Sequence, residues 1–386
     1  MVNFNFTAPT RIVFGAGAEN DVGKYAAALG ADVLIHYGGG SSARSGLLAG
    51  VTASLERAGI KYTPLGGVKA NPVLSLVKEG IALCRQKKLT GILAVGGGSV
   101  LDSAKAIAVG VPYDGDVWDF FAGTAEIKAA LPVGAILTLS AAGSEASLNA
   151  VVTNENGMLK RGIGSELIYP VFSVCNPELT YSVSAYQTAC GVSDINAHVL
   201  ERYFSNTADV DLSDRMCEAV LKTTMRAAGI ALAAPDNYAA RADIMWAGTV
   251  AHNNILGVGR VQDWASHTIS HEISAVYDTA HGAALAIIFP AWMKYVYKAN
   301  PRVFLQFANR VMGVDYYKSE EEAILEGIAR YEKFLAGMGL SVRLSGLKLP
   351  ESCVRLLADR FKNIGKVGRF MPLSAADIEK IYQLAY

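Results

Sequence analysis

Short apolar runs alternate with amphipathic segments in the first half of the chain. The runs are rich in β-branched and aliphatic residues and cover residues 11–14, 32–37, 91–95 and 135–138. Residues 46–59 and 73–87, which lie between the runs, repeat apolar side chains at helical spacing. Strands that alternate with helices favour a largely parallel, doubly wound α/β sheet.

The pattern changes near residue 184. From there to Tyr386, alanine, leucine and methionine dominate and the apolar periodicity is helical. The change follows a turn-rich stretch, Val174-Cys-Asn-Pro-Glu178. We therefore expect an α/β domain over residues 1–183 and an all-helical domain over residues 184–386.

Charge and composition narrow the class of function. Lys plus Arg and Asp plus Glu each number 35 in the 386 residues, so the formal net charge is zero. This balance argues against electrostatic binding to nucleic acid or to an acidic membrane surface. The hydrophobic fraction of 51% indicates a large buried interior and favours an oligomer.

The cysteines and the N-terminus indicate the compartment. The five cysteines are scattered and form no C-x-x-C pair, which favours the reducing cytoplasm. The N-terminus shows neither a basic region nor an apolar run, and no long apolar window occurs. We expect neither secretion nor membrane insertion.

Two glycine triplets each follow a predicted strand. They are Gly38-Gly-Gly-Ser-Ser42 and Gly96-Gly-Gly-Ser-Val-Leu-Asp102, and the second opens a predicted helix. Glycine lets the backbone approach a pyrophosphate, and the N–H groups at a helix start attract its charge. The alternative is a pair of tight turns that bind no ligand. We favour a Rossmann-like dinucleotide-binding domain, and we discount Gly15-Ala-Gly17, which lacks the third glycine of the fingerprint.

The residues near the first triplet bear on the choice of nucleotide. No acid stands at Gly39 to repel a 2′-phosphate, so NADP(H) is permitted, with Ser41, Ser42 and Arg44 as partners. This gives a weak preference for NADP(H) and does not exclude NAD(H). A later turn, 138–145, contacts the cofactor or else only caps the next helix, with Ser144 as N-cap.

Histidines and one aspartate suggest a metal site. Four of the six histidines, at 252, 267, 271 and 281, fall within thirty residues. Asp194 and His198 are four residues apart, which places them on one helix face, and so are His267 and His271. One carboxylate with two or three imidazoles suits Fe²⁺ or Zn²⁺ and leaves a coordination position open. The alternative is a set of hydrogen-bonded core histidines, which is our interpretation of His36.

Taken together, these residues resemble the iron-containing alcohol dehydrogenase family, and within it the butanol dehydrogenases and broad-range aldehyde reductases. The resemblance spans nearly the whole chain and implies a two-domain enzyme that is often dimeric, so we expect a homodimer. The resemblance is carried by the glycine-rich stretch 96–105, Gly143-Ser-Glu145, Asp194 with His198, Trp246-Ala-Gly, Ala251-His-Asn253, Asp263-Trp-Ala-Ser-His267, His271-Glu272 and Ala280-His281-Gly282.

The resemblance implies a set of site residues. As the family's metal ligands it implies Asp194, His198, His267 and His281, with His271 as a nearby non-ligand. It also implies residues that line the cofactor, and these are Gly38, Gly39, Gly40, Ser41, Gly96, Gly97, Gly98, Ser99, Asp102, Thr138, Leu139, Ser140 and Lys160. One departure is Asn176-Pro177, where the family usually has Asp-Pro.

We therefore expect a metal-dependent oxidoreductase that transfers hydride between NAD(P)(H) and a primary alcohol/aldehyde pair. The cation would polarise the substrate oxygen, the nicotinamide would carry the hydride, and His271 is our candidate proton relay. The sequence assigns no definite role to His252. The alternatives are a metal-dependent lyase or hydrolase on a related scaffold and a non-catalytic nucleotide sensor.

Overall fold

The computed structural model describes residues 1–39, 46–316 and 318–386. They form two compact units. The sheet unit comprises Thr7–Val183 and Asp236–Asn253, and the helical unit comprises Met1–Phe6, Ser184–Pro235 and Asn254–Tyr386. The expected fold class, an α/β part followed by a helical part, is confirmed. Gly40, Ser41, Ser42 and Arg44, which the sequence places near the nucleotide, lie outside the described residues.

The described strands of the sheet unit are β1 Arg11–Phe14, β2 Asp32–Gly38, β3 Lys61–Val68, β4 Gly91–Gly96, β5 Val133–Leu137, β6 Asn149–Asn154, β7 Leu159–Gly164 and β8 Phe172–Cys175. Six of them form a parallel sheet in the order β1-β8-β5-β4-β2-β3. A separate antiparallel pair is formed by β6 and β7.

Both faces of the parallel sheet are buried, which explains its continuous apolar strands. In β4, Ile92 and Ala94 belong to one buried cluster, whereas Leu93 and Val95 belong to another. Successive side chains of a strand point to opposite faces, so each cluster covers one face. Helices on both faces account for this burial, as in other parallel sheets.

The four strands predicted from the sequence are present, and the parallel sheet contains two further strands, β3 and β8. β3 contains Pro64, Gly66 and Gly67 and begins at Lys61, so it lacks the pattern of a buried strand. It lies at the edge of the sheet, where a proline that cannot donate a backbone hydrogen bond is tolerated. The edge position therefore explains why the apolar pattern did not indicate this strand.

The order of strands defines a switch point between β2 and β4. From β2 the chain continues to β3 on one side, whereas from β4 it continues to β5 on the other side. In open parallel sheets, ligands bind at the carboxyl ends of the strands where the direction of winding reverses. Gly38 is the last residue of β2 and Gly96 the last residue of β4, and Gly39 and Gly97 follow them, so both glycine motifs stand at this point.

Six described α-helices belong to the sheet unit. They are α1 Gly23–Ala26, α2 Leu47–Arg57, α3 Leu74–Lys87, α4 Gly98–Gly110, α5 Trp118–Ala122 and α8 Tyr238–His252. Although α8 lies after residue 184, it packs in the sheet unit, where the Thr249 hydroxyl donates to the buried Glu145 carboxylate over 2.7 Å. Helical periodicity predicted this helix but could not indicate the unit in which it packs.

The helical unit contains the remaining described α-helices. They are α6 Ala185–Tyr203, α7 Asp211–Ala233, α9 Ala265–Tyr277, α10 His281–Val296, α11 Pro301–Arg310, α12 Glu320–Gly337, α13 Cys353–Asp359 and α14 Ala375–Ala385. From Thr188 onward α6 is buried on all sides, and α10 is nearly so. These two helices therefore form the core of the unit and pack directly on one another. In the described chain, every helix is too short or too polar to cross a lipid bilayer.

Candidate metal centre and nucleotide loops

Three of the four predicted metal ligands form one cluster in the helical unit. Asp194 lies in α6, His267 in the first turn of α9, and His281 is the first residue of α10. One donor atom from each side chain lies within 4.8 Å of the others. Asp194 and His267 are buried, whereas His281 is partly exposed. Helix α6 and the two consecutive helices α9 and α10 thus bring a carboxylate and two imidazoles together.

His198, the fourth predicted ligand, adjoins this cluster. Its Nδ1 lies 2.8 Å from the Asp194 carbonyl oxygen and 3.1 Å from Asp194 Oδ1. Its ring centroid is 4.5 Å from that of His267. A neutral imidazole that donates from Nδ1 keeps the lone pair on Nε2, so His198 retains one atom that can bind a cation.

The cluster fits a divalent cation. Asp194 is only 4% exposed, and its Oδ1 accepts no hydrogen bond of ordinary geometry from the described residues. His281 Nε2 lies 3.7 Å from this oxygen. A buried carboxylate oxygen is costly unless a hydrogen bond or a positive charge compensates it. Oxygen and imidazole donors without a thiolate suit Fe²⁺ or Zn²⁺ and do not distinguish between them.

Glu201 is a site residue that the sequence analysis missed. It is fully buried in α6, its Oε1 accepts a hydrogen bond from the His267 backbone N at 3.0 Å, and the same oxygen lies 2.8 Å from His267 Nδ1. Burial raises the pKa of Glu201 to about 7, against the effect of its backbone hydrogen bonds. Its spacing could have indicated this role, because Glu201 follows His198 by three residues and so lies on the same helix face.

His271 lies one turn after His267 in α9 and is half-buried. Its ring centroid is 5.2 Å from that of His281. The sequence-predicted relay residue therefore lies beside the cluster. His252 and His36, by contrast, belong to the sheet unit, where His252 Nε2 lies 3.3 Å from Asn149 Nδ2.

His36 is buried between two neighbours in the sheet unit. Its Nδ1 lies 3.0 Å from the Leu65 carbonyl oxygen, and its Nε2 lies 2.8 Å from Ser103 Oγ. Burial lowers its pKa to about 4, so the ring is neutral at pH 7. The expected structural role of His36 agrees with these contacts, which join β2, β3 and α4.

The second glycine motif is tightly packed at the start of α4. A Cβ added to Gly96 would lie 2.4 Å from Val100 Cγ2, and one added to Gly97 would lie 3.1 Å from Leu139 Cβ. The loops that follow β4 and β5 thus approach each other closely at Gly97, whereas Gly96 lies so close to Val100 of α4 that it has no room for a side chain. Gly39 differs, because a Cβ there would meet nothing within 4 Å.

Asp102 uses both carboxylate oxygens within the protein. Oδ1 accepts from the Ser144 hydroxyl at 2.7 Å, and Oδ2 accepts from the Val151 backbone N at 3.0 Å. Gly143, at φ 65°, is the N-cap of the short helix that follows, so the alternative with Ser144 as N-cap is wrong. The Ser144 side chain instead links α4 to the loop before β6.

Two lysines lie in the interior of the sheet unit. Lys160, in β7, donates to Asn71 Oδ1 over 3.0 Å. Lys105, in α4, donates to the carbonyl oxygens of Ser144 at 2.7 Å and Ser147 at 2.8 Å. Burial lowers the pKa of Lys105 to about 8. Lys105 therefore holds the loop that follows β5, a structural role for a residue of the glycine-rich stretch.

Comparison with known families agrees with this arrangement. The family model for iron-containing alcohol dehydrogenase matches residues 9–177, and the model for the C-terminal part of the Fe-containing alcohol dehydrogenase family matches residues 188–386. The chain belongs to the iron-containing alcohol dehydrogenase family. The resemblance noted from the sequence is thus confirmed, and the protein is an enzyme of the alcohol dehydrogenase type.

Individual members of the family are similar over their full length. The chain is 40% identical to a probable NADH-dependent butanol dehydrogenase of Bacillus subtilis (strain 168), covering 99% of both chains. It is 36% identical to an NADPH-dependent aldehyde reductase of Escherichia coli (strain K12), covering 100% of both. Among solved structures, NADH-dependent butanol dehydrogenase A of Thermotoga maritima has a TM-score of 0.96 at 41% identity, covering 100% of this chain and 99% of that one.

These relatives bear on the expected function. All three are named as alcohol or aldehyde oxidoreductases that use a reduced nicotinamide. The expectation of an oxidoreductase is therefore confirmed for this iron-containing alcohol dehydrogenase. The lyase or hydrolase alternative finds no support among them.

The departure from the family at Asn176 is accommodated locally in this alcohol dehydrogenase. Asn176 Oδ1 accepts from the Glu178 backbone N at 3.0 Å, as a carboxylate would. Its Nδ2 donates to Glu19 Oε2 over 2.9 Å, which an aspartate could not do. The amide thus preserves the cap of the turn after β8 and adds one hydrogen bond.

Proposed function

We propose that the chain interconverts a primary alcohol and its aldehyde with NAD(P)(H) and one divalent metal ion held by Asp194, His198, His267 and His281. The observation that carries the proposal is the cluster of Asp194, His267 and His281 donors within 4.8 Å. Fe²⁺ or Zn²⁺ bound there would supply a Lewis acid for the substrate oxygen. The nicotinamide would carry the hydride, which amino-acid side chains cannot do.

His271 is our candidate for moving the proton that the reaction consumes or releases. It is half-buried beside His281, so its ring has some access to water while it lies near the proposed metal ligands. An imidazole titrates close to neutral pH, which suits it to both proton transfer steps. In the same proposal His271 is not a metal ligand.

The nucleotide would bind at the carboxyl ends of β2, β4 and β5. Gly38 ends β2 and Gly39 follows it, the stretch 96–99 joins the end of β4 to the start of α4, and Thr138, Leu139 and Ser140 follow β5. Backbone N–H groups at the helix start attract a diphosphate. Lys160 would add a positive charge, whereas Asp102 would act indirectly, because both its oxygens bond to the protein.

We further propose that NADP(H) is preferred over NAD(H), because Gly39 presents no carboxylate to the ribose. Replacing Gly39 with aspartate should fit without a clash, since a Cβ there meets nothing within 4 Å. Two like charges a few ångströms apart repel by about 4 kcal/mol at an intermediate dielectric, and less when solvent screens them. We expect kcat/KM for NADPH to fall at least roughly tenfold, with a much smaller change for NADH.

Gly39→Asn is the matched control, since it adds a side chain of the same size without charge. The Asn variant should retain most of the NADPH activity. Equal losses in both variants, or a loss with NADH as large as that with NADPH, would argue against a ribose site beside Gly39.

The activity itself is tested by following the absorbance of NADPH or NADH as butyraldehyde is added. We expect the absorbance to fall, the reaction to stop after a chelator removes the metal, and activity to return on addition of Fe²⁺ or Zn²⁺. Turnover that survives complete metal removal would contradict the proposed metal dependence. Absence of turnover with a range of aldehydes and both nucleotides would contradict the proposed reaction.

A homodimer and a cytoplasmic location complete the proposal. The first is supported by the high apolar content and by exposed apolar side chains that include Phe4 and Phe6. The second is supported by the five cysteines, all of which are free and buried. A light-scattering mass equal to that of a single chain would contradict the dimer, and recovery of the native protein in a periplasmic or secreted fraction would contradict the location.

A further inference from the structure

Glu201 lies at the point where α6 meets the start of α9. We infer that Glu201 is a positioning residue, which orients the His267 ring so that Nε2 faces the donors of Asp194 and His281. The inference rests on the proposed metal site and concerns a residue outside the proposed ligand set. The same carboxylate contacts both the ring and the backbone of His267, and this double contact carries the inference.

The first step concerns the tautomer of His267. His267 Nδ1 lies 2.8 Å from Glu201 Oε1. Glu201 Oε1 also accepts from the His267 backbone N–H and Oε2 accepts from the Trp264 backbone N–H, so both oxygens act as acceptors and Nδ1 is the donor in this contact. In the neutral imidazole the lone pair then resides on Nε2, the atom left to bind a cation. A carboxylate bonded to the far nitrogen of a ligating histidine fixes its orientation and raises its basicity.

The second step concerns the backbone of the same residue. Glu201 Oε1 also accepts from the His267 backbone N at 3.0 Å, and Oε2 accepts from the Trp264 backbone N at 2.8 Å. These N–H groups belong to the first turn of α9, where they have no partner within the helix. Glu201 therefore caps α9 from a neighbouring helix, and a negative charge is favourable at this end. The ring and the main chain of His267 are held by one rigid side chain.

The third step concerns strain at the same helix start. Trp264, the N-cap of α9, has φ 69° and ψ 11°, a left-handed conformation that is unfavourable for a bulky side chain. Its ring lies under the Arg202 guanidinium at 4.8 Å, and its Nε1 donates to Gln262 Oε1 over 3.1 Å. Strained residues persist where surrounding contacts over-determine them, often at functional sites. The contacts here set where α9 begins and so where His267 lies.

Glu201 is not itself placed to bind the cation. Both of its oxygens are engaged by Trp264 and His267, and the cluster of candidate donor atoms does not include it. Its effect on a metal ion would therefore pass through His267. This separates its role from that of Asp194, whose Oδ1 faces the cluster.

The tautomer is tested directly in the metal-free full-length protein by long-range ¹H–¹⁵N NMR of ¹⁵N-histidine. The chain has six histidines, so assignment with single-histidine variants is practical. We expect His267 to carry its proton on Nδ1 in the wild-type protein. A proton on Nε2 instead would overturn the inference, and this result does not depend on whether any Glu201 variant folds.

The effect on metal binding is tested with Glu201→Gln, by competition of Zn²⁺ with a chromogenic chelator and by the visible spectrum of bound Co²⁺. We expect the Zn²⁺ Kd to rise about 10–100-fold and the Co²⁺ bands to change, because a neutral amide replaces the charge behind His267. An unchanged Kd with an unchanged Co²⁺ spectrum would overturn the inference. If Glu201→Gln does not fold, Glu201→Asp serves in its place, because its shorter side chain withdraws the carboxylate from Nδ1. Wild-type values in that variant would likewise overturn the inference.

Glu218→Gln is the matched control. Glu218 is also a buried carboxylate of the helical unit, and it accepts from Tyr203 and Arg310 at 3.1 and 3.2 Å. This variant should lose stability but keep the wild-type Zn²⁺ Kd and Co²⁺ spectrum. An equal loss of Zn²⁺ affinity in both variants would show that the loss comes from general destabilisation, and it would overturn the inference. If the wild-type protein itself bound neither metal, the proposed function would fail first, and the two failures are thus distinguishable.

Discussion

Replacing His267 with alanine is expected to remove bound metal and activity together while leaving nucleotide binding nearly unchanged. His267 is 5% exposed and belongs to the cluster with Asp194 and His281. Structural zinc sites with four ligands contribute about 10–16 kcal/mol, which is on the order of 3 kcal/mol per ligand. We therefore expect metal affinity to fall roughly 100-fold or more. Elemental analysis measures the metal, and NADPH fluorescence measures the nucleotide.

His271→Ala is the control for this experiment. His271 lies in the same helix one turn away, and we propose it as a proton relay and not as a ligand. This variant should keep its metal while its turnover falls. The ligand assignment would be wrong if His267→Ala kept the wild-type metal content, and the distinction between the two histidines would fail if both variants lost the metal equally.

Gly282→Ala is expected to destabilise the helical unit and to weaken metal binding. A Cβ at Gly282 would lie 1.9 Å from the Cys190 carbonyl oxygen and 2.6 Å from its carbon. These are backbone atoms, so no rotamer change can relieve the clash and α6 and α10 must move apart. Overpacking of this kind costs about 1–3 kcal/mol. His281 is the adjacent residue, and Asp194 follows Cys190 by one helical turn, so the donor cluster should widen.

Thermal unfolding and Zn²⁺ titration measure these two effects, and Gly229→Ala is the control. Gly229 lies inside α7, and a Cβ there would meet nothing within 4 Å. Alanine in a helix interior is favoured over glycine by up to about 1 kcal/mol, so this variant should unfold at a slightly higher temperature. Wild-type unfolding temperature and metal affinity in Gly282→Ala would show that the helices adjust without cost.

The parts of the fold that the sequence predicted are those in which local pattern and burial agree. The run 92–95 is continuously apolar because both of its faces are covered, and it forms the fully buried β4. β3 was missed because Pro64 and two glycines break its pattern at the sheet edge. The packing of α8 in the sheet unit was also missed, because a contact such as that between Thr249 and Glu145 joins residues far apart in sequence.

The candidate site shows the same limit. The spacing of four residues and the scarcity of histidine single out two pairs, Asp194 with His198 and His267 with His271, whereas only the resemblance to the family separates the expected ligands from His271. Glu201 was missed, because a single glutamate on a helix usually faces solvent and its partner lies 66 residues away. Asp102 was expected to line the cofactor. Its hydrogen bonds to Ser144 and Val151 could not be predicted, because they depend on how the chain between β5 and β6 packs against α4.

The central claim is that one cation is held jointly by α6, α9 and α10. Anomalous diffraction from crystals of the metal-replete protein, collected on both sides of the iron and zinc absorption edges, tests it most directly. We expect a single strong peak in the helical unit, bonded to Asp194, His267 and His281 and reached by His198. A peak elsewhere, or none at these side chains when metal is in excess, would contradict the claim.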